Sequence, residues 1–188
     1  EQLKNEQGII QAVPEYSISV VTYEGFNRLS FGEETWKKIG SEFYSILNQG
    51  IDKRRDVEKL HERIDEMMGR GIRGGLADIE VLGFDFAIVD EAHAMKKAFT
   101  QVKGDVKGDD ESREKSSYEI RSGEPSMTAL RGFMISQYIQ RQNKMRNVLL
   151  LTATPFTNSP LEIYSILALI GYEQLEKWGI KNIKQFFD

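Results

Sequence analysis

The chain has 188 residues, 40% of them hydrophobic, a size that suits one domain with a sizeable core. Its formal net charge of −4 excludes a polycation that binds nucleic acid by bulk charge, although a local basic strip stays possible. With no Cys and only His61 and His93 as histidines, disulfide frameworks, thiol catalysis, Cys-type zinc sites and multi-His metal sites are excluded, and without a long apolar run or a signal-peptide pattern the expectation is a cytoplasmic chain with no membrane partner.

In chain order, the first expected element is a buried parallel strand over Ser17 to Thr22 (SISVVT), since such strands read as continuous apolar runs. Two helical stripes follow. Trp36, Ile39, Phe43, Ile46 and Leu47 recur at helical spacing, then Val57, Leu60, Ile64, Met67 and Met68 do the same. Gly50 is expected to end the first helix and Asp52 to cap the second. Together they predict a helical hairpin over residues 33–70, longer than a minimal crossover needs and therefore read as an insertion. Its stripe would either pack on its own domain or meet a partner. Gly69 to Gly74 fits G-x-G-x-x-G, but it follows a helix and precedes a strand, the reverse of a dinucleotide fingerprint, so a flexible turn is expected.

A second strand is expected over Phe84 to Val89 (FDFAIV). Residues 100–126 are polar, charged and glycine-containing, which predicts a mobile loop. Met127 to Gln142 returns to helical spacing, and Val148 to Thr152 (VLLLT) reads as a third buried strand. Ser159-Pro160-Leu161-Glu162 is a helix start: Ser caps, Pro takes the first helical position, and Glu closes a capping box. That helix should run to Ile170, with Gly171 at its end. Strands alternating with helices predict an α/β fold with a parallel sheet and flanking helices.

The chemistry concentrates at two strand ends. Asp90-Glu91-Ala92-His93 directly follows the second strand. In open α/β sheets ligands bind at the carboxyl ends of the strands. There the first carboxylate can hold Mg2+, which prefers oxygen ligands and keeps waters. The second can orient and deprotonate a water that attacks a phosphate. Thr152-Ala153-Thr154-Pro155 ends the third strand and offers two hydroxyls to a neighbouring carboxylate or a moving segment. Basic residues cluster at Lys53-Arg54-Arg55, at Arg70 and Arg73, and at Lys144 and Arg146, where solvated faces are the ordinary expectation. His61 is expected at a surface or boundary.

A strand ending in Asp-Glu-Ala-His, a helix, and a strand ending in Thr-Ala-Thr-Pro together resemble the first motor lobe of superfamily 2 helicases and translocases. Asp90 to His93 match its Walker B box, and Thr152 to Pro155 match motif III. The run from Leu149 to Asp188, with Asn158 three residues after the proline, a Leu-rich helix and the aromatic segment Ile183 to Phe187, is most similar to the Swi/Snf-like branch. Val20 to Leu29 (VVTYEGFNRL) is similar to that branch's motif Ib. Ala153 stands where many members of the branch have Gly.

The resemblance implies a P-loop NTPase (RecA-like) lobe that uses ATP and Mg2+. It implies Asp90 on the metal, through water, and Glu91 as the group polarising the attacking water. His93, Thr152, Thr154 and Asn158 would couple hydrolysis to lobe movement, with His93 bonded to the hydroxyl of Thr152 or Thr154. Tyr23 and Arg28 would touch nucleic acid, double-stranded DNA by preference. No G-x-x-x-x-G-K followed by Ser or Thr occurs in the chain, and no arginine fingers of a second lobe are recognised. The chain, which opens on Glu1 rather than Met, is therefore expected to be an incomplete lobe, inactive alone, whose missing parts and second lobe belong to the same polypeptide. A restriction-modification or mobile-element protein is one setting in which such motors occur. The competing expectation is a non-catalytic interaction module, its helical hairpin binding a protein and its motor motifs vestigial.

Overall fold

The computed structural model describes residues 11–49, 51, 53–70, 77–105 and 117–188. The chain is mixed α/β, with small two-stranded sheets set among helices. In chain order, α1 (Tyr23–Phe26) and β1 (Leu29–Ser30) precede α2 (Glu33–Leu47) and α3 (Arg54–Arg70). Next come β2 (Ala77–Asp78), α4 (Ile79–Leu82), β3 (Ala87–Val89) and a short 3-10 turn (Ala92–Met95). The remainder is β4 (Gln101–Asp105), β5 (Ser117–Arg121), α5 (Met127–Gln142), β6 (Val148–Leu150), α6 (Pro160–Lys177) and α7 (Ile183–Phe187).

Two pairs are parallel: β1 with β2, and β3 with β6, where Ile88 lies opposite Leu149. The third, β4 with β5, is antiparallel, with Val102 opposite Ile120. The second and third strands of the sequence reading are found, as β3 and β6, shorter than expected. The first expected strand is not. Segment 17–22 makes no ladder, and Ile18 and Val20 stand 94% and 95% exposed. Its apolar residues suit a strand buried between neighbours, and among the described residues no strand lies alongside. A strand without a ladder partner leaves its backbone groups to water. Before the segment, Val13 N–H donates to Leu82 O; within it, Ser17 Oγ donates to Pro14 O and Thr22 caps α1 through its hydroxyl.

The charged stretch after Thr100 is a second correction. Residues 101–105 and 117–121 form a hairpin ladder, with Val102 buried and Ser117 to Arg121 alternating outward and inward. Gly104 is needed in it: a Cβ there would lie 2.3 Å from the Tyr118 hydroxyl. The rest of the expected loop, 106–116, lies outside the described residues, as do Gly50, Asp52, Arg73 and the 71–74 part of the glycine run.

The core is built around α5, whose residues from Ala129 to Gln137 are all buried. Phe133 meets Phe43 of α2, Phe99 and Tyr172 of α6 edge-on, at 5.5–6.1 Å between ring centres. Phe43, Ile46, Leu47, Leu60 and Ile64 are buried too, so these positions of the α2 and α3 stripes pack inside this chain. His61 sits at their boundary, 2.8 Å from Asn48 Nδ2 and against the Tyr44 ring. Helix α6 breaks its helical geometry at Gly171, which frees carbonyls on its inner side. The buried amides of Gln137 and Gln140 donate to Ala168 O and Leu169 O, at 2.9 and 2.8 Å. The amide nitrogens facing the interrupted helix are thus paired, whereas Oε1 of Gln137 and Oε1 of Gln140 are buried without a hydrogen-bond partner among the described residues.

Candidate functional site

Parallel pairing of β3 with β6 brings the ends of the two motif strands to one sheet edge. The ladder runs on past both strands: Leu151 N–H donates to Val89 O at 2.8 Å, and Ala92 N–H donates to Leu151 O at 3.0 Å. Asp90 and Glu91 therefore leave the sheet beside Thr152, both as exposed carboxylates. Glu91 adopts φ 52° and ψ 45°, a left-handed conformation that non-glycine residues seldom hold. That turn sends the chain into the 3-10 segment, whose Ala92 and Met95 are buried. Asp90 Oδ1 accepts the Glu91 amide at 3.0 Å.

His93 turns back on the carboxylate. Its Nδ1 lies 3.0 Å from Glu91 Oε2. The expected bond to the hydroxyl of Thr152 or Thr154 is not the one formed, because the left-handed turn at Glu91 puts its carboxylate within closer reach. Thr152 Oγ1 instead accepts the Thr154 amide at 3.1 Å, a local turn that shapes the box after β6. Thr154 and Asn158 are exposed.

Tyr23 sits under the carboxylate pair. Its hydroxyl donates to Asp90 O at 2.7 Å and stands 3.1 Å from Glu91 O. Burial first, then the negative charges of Asp90 and Glu91, hold its phenol above the ordinary value, so it remains a donor. A tyrosine expected to face nucleic acid is thus committed to the backbone of the carboxylate turn. Arg28 is exposed and paired with Glu24 at 3.0 Å, one helical turn away. The stretch between them is tied to α5: Thr128 Oγ1 donates to Asn27 Oδ1 at 3.1 Å, and Arg131 donates to Asn27 O.

Two residues at this edge carry more than the sequence reading gave them. Glu162, read as the acid that closes a capping box, is 1% exposed. Its Oε2 accepts not from Ser159 but from the amides of Thr157 and Asn158, at 2.8 and 3.3 Å. Ser159 Oγ caps the helix alone, through Leu161 N–H. Lys96, which follows the 3-10 turn, reaches Thr157 Oγ1 at 2.6 Å and Glu162 Oε2 at 3.3 Å. Burial pushes the Glu162 carboxyl up, but the two amides and the Lys96 ammonium outweigh it and leave the pKa lowered. The signal for Glu162 was present as the acid of the helix start. For Lys96 it was only a position three residues beyond His93.

The donor set at Asp90 and Glu91 fits a hard cation such as Mg2+, which takes one or two carboxylates and keeps its waters. The phosphate cradle that a nucleotide needs has no counterpart in this sequence. A cleft of about 380 Å³ lies elsewhere, between α3 and the β4–β5 hairpin, with Lys59, Arg63, Arg121 and Glu124 on its walls. It does not include the carboxylate pair. Comparison with family models, with curated proteins and with solved structures finds no match. Among the described residues no helix is long and apolar enough to cross a membrane.

Proposed function

We propose that the chain is part of the first RecA-like lobe of an ATP-driven nucleic-acid motor, of the superfamily 2 type and closest to its Swi/Snf-like branch. One observation carries this reading. Asp90-Glu91 and Thr152-Ala153-Thr154 leave the carboxyl ends of two adjacent parallel strands, the place and order that a hydrolytic box followed by a coupling box requires.

In this reading Asp90 would hold Mg2+ through water, and bound Mg2+ would neutralise charge on the phosphates. Glu91 would orient the attacking water and take its proton. The imidazole of His93, 3.0 Å away, restrains the Glu91 carboxylate, and the Tyr23 hydroxyl fixes the backbone that presents it. Positioning and charge neutralisation supply most of phosphoryl-transfer catalysis. A phosphate-binding lysine and arginine fingers would have to come from other parts of the polypeptide. Nucleic acid, double-stranded DNA by preference, would pass along the edge that carries Arg28.

The test is kinetic. In the protein that unites this chain with a P-loop, Glu91→Gln should lower kcat by about 10²- to 10⁴-fold with little change in the KM for ATP. The 188-residue chain by itself should release phosphate no faster than buffer. Turnover by that chain, abolished by Glu91→Gln, would contradict its reading as an incomplete lobe. An interaction module with idle motifs predicts that Glu91→Gln changes no activity of the parent protein.

A further inference from the structure

We propose that Lys96 and Glu162 are positioning residues that lock the carboxylate turn Asp90–His93 to the loop 155–158, so that the two shift together. The lock is a matter of geometry; its service to hydrolysis rests on the motor reading.

The polar side chains of the two boxes bond within their own segments. His93 is spent on Glu91, and Thr152 on Thr154. The side-chain bridge is made further along each segment. Lys96 ends the 3-10 turn that begins at Glu91, and the turn is stiff. Ala94 N–H donates to Glu91 O at 3.1 Å, Lys96 N–H donates to His93 O at 3.4 Å, and Met95 is buried against Gly132 of α5, where a Cβ would lie 2.5 Å from its sulfur. A displacement of Lys96 is therefore passed to Glu91 through a short braced segment.

At the other end, Glu162 is fixed in the first turn of α6. Its Oε2 gathers the Thr157 amide, the Asn158 amide and the Lys96 ammonium. A buried carboxylate needs such compensation, and with Oε1 of Glu162 buried without a partner among the described residues, all of it falls on Oε2. The Lys96 side chain is itself 12% exposed and bonds the Thr157 hydroxyl as well. Loop 155–158 is thus held by one carboxylate and one ammonium, and the ammonium comes from the carboxylate turn.

The test reads the lock without nucleotide, by NMR on the 188-residue chain. Lys96→Met should speed amide exchange at Thr157 by about tenfold and move the resonances of Glu91 and His93. Glu162→Gln should do the same. Lys96→Arg, which keeps the charge, should return Glu91 and His93 toward their original positions. Thr157→Val, at an exposed side chain, should move the same two residues by less and serves if the Glu162 variant does not fold. Changes confined to residues 155–162 in Lys96→Met, or a Lys96→Arg chain as perturbed as Lys96→Met, would overturn the lock.

Its service to the motor is read separately, in the ATP-hydrolysing parent. There Lys96→Met should lower kcat by about tenfold at unchanged KM for ATP, with rescue by Lys96→Arg. An unchanged kcat would refute that service, while the motor reading itself stands or falls with Glu91→Gln.

Discussion

Glu91 holds a left-handed backbone conformation that costs a non-glycine residue about 1–2 kcal/mol. Glu91→Gly should therefore raise stability by about 1 kcal/mol, a few degrees in Tm, while removing the carboxylate that the proposed chemistry needs. Thermal melts of Glu91→Gly and Glu91→Ala decide this, because only glycine relieves the backbone. A drop in Tm with both variants would show that the turn carries no strain. Glu162 gives a prediction in pH. Its pKa is lowered from an ordinary 4.5, so its contribution is complete above that value and fades as pH falls through the folded pKa. Urea melts across the acid range should show Glu162→Gln less pH-dependent than the native chain, and less stable near neutrality by on the order of 3 kcal/mol. At this scale the sequence was most informative about position: Asp90 and Glu91 do leave the end of a strand that pairs with the one leading to Thr152. It was least informative about direction. Nothing in the letters says that His93 faces Glu91 rather than Thr152, because a left-handed turn at a glutamate has no local signature.

At the scale of elements, the long helices were legible, apart from the continuation of α6 past Gly171 to Lys177, while α1, α4 and the β4–β5 hairpin were not. Met127 to Gln142 and the start at Ser159-Pro160 follow from spacing and capping, and both are observed. Ser117 to Arg121 does alternate, outward and inward, but its charged residues and the surrounding polar composition masked that period. Gly104 is a direct check on the hairpin. Gly104→Ala puts a methyl group into the Tyr118 ring and should cost about 1–3 kcal/mol; a neutral result in chemical denaturation would mean that Tyr118 has room to move. The break in α6 is another check. Gln140 donates to Leu169 O from a buried position, so Gln140→Leu should cost about 1–3 kcal/mol although it adds apolar surface. Equal or higher stability would show that the freed carbonyls find other partners.

At the scale of the molecule, α5 is the hub, and Arg141 extends its reach by pairing with both Glu42 and Glu173 over the ring of Phe43. The sequence foresaw alternating strands and helices. It did not foresee that the described strands would fall into separate pairs, since apolar runs announce burial without naming a neighbour. On one side of the β3–β6 pair, Phe86, Ile88, Leu149 and Leu151 are all 45% exposed or more, and Ile18 and Val20 are almost fully so. Viewed as a colloid, such a particle is sticky. A flat apolar ribbon with unpaired backbone groups templates further strands, and the net charge of −4 supplies the repulsion that keeps copies apart. Light scattering should rise with concentration and with added salt, which screens that repulsion. Val20→Lys should suppress the rise without lowering Tm, because its side chain touches solvent on every side.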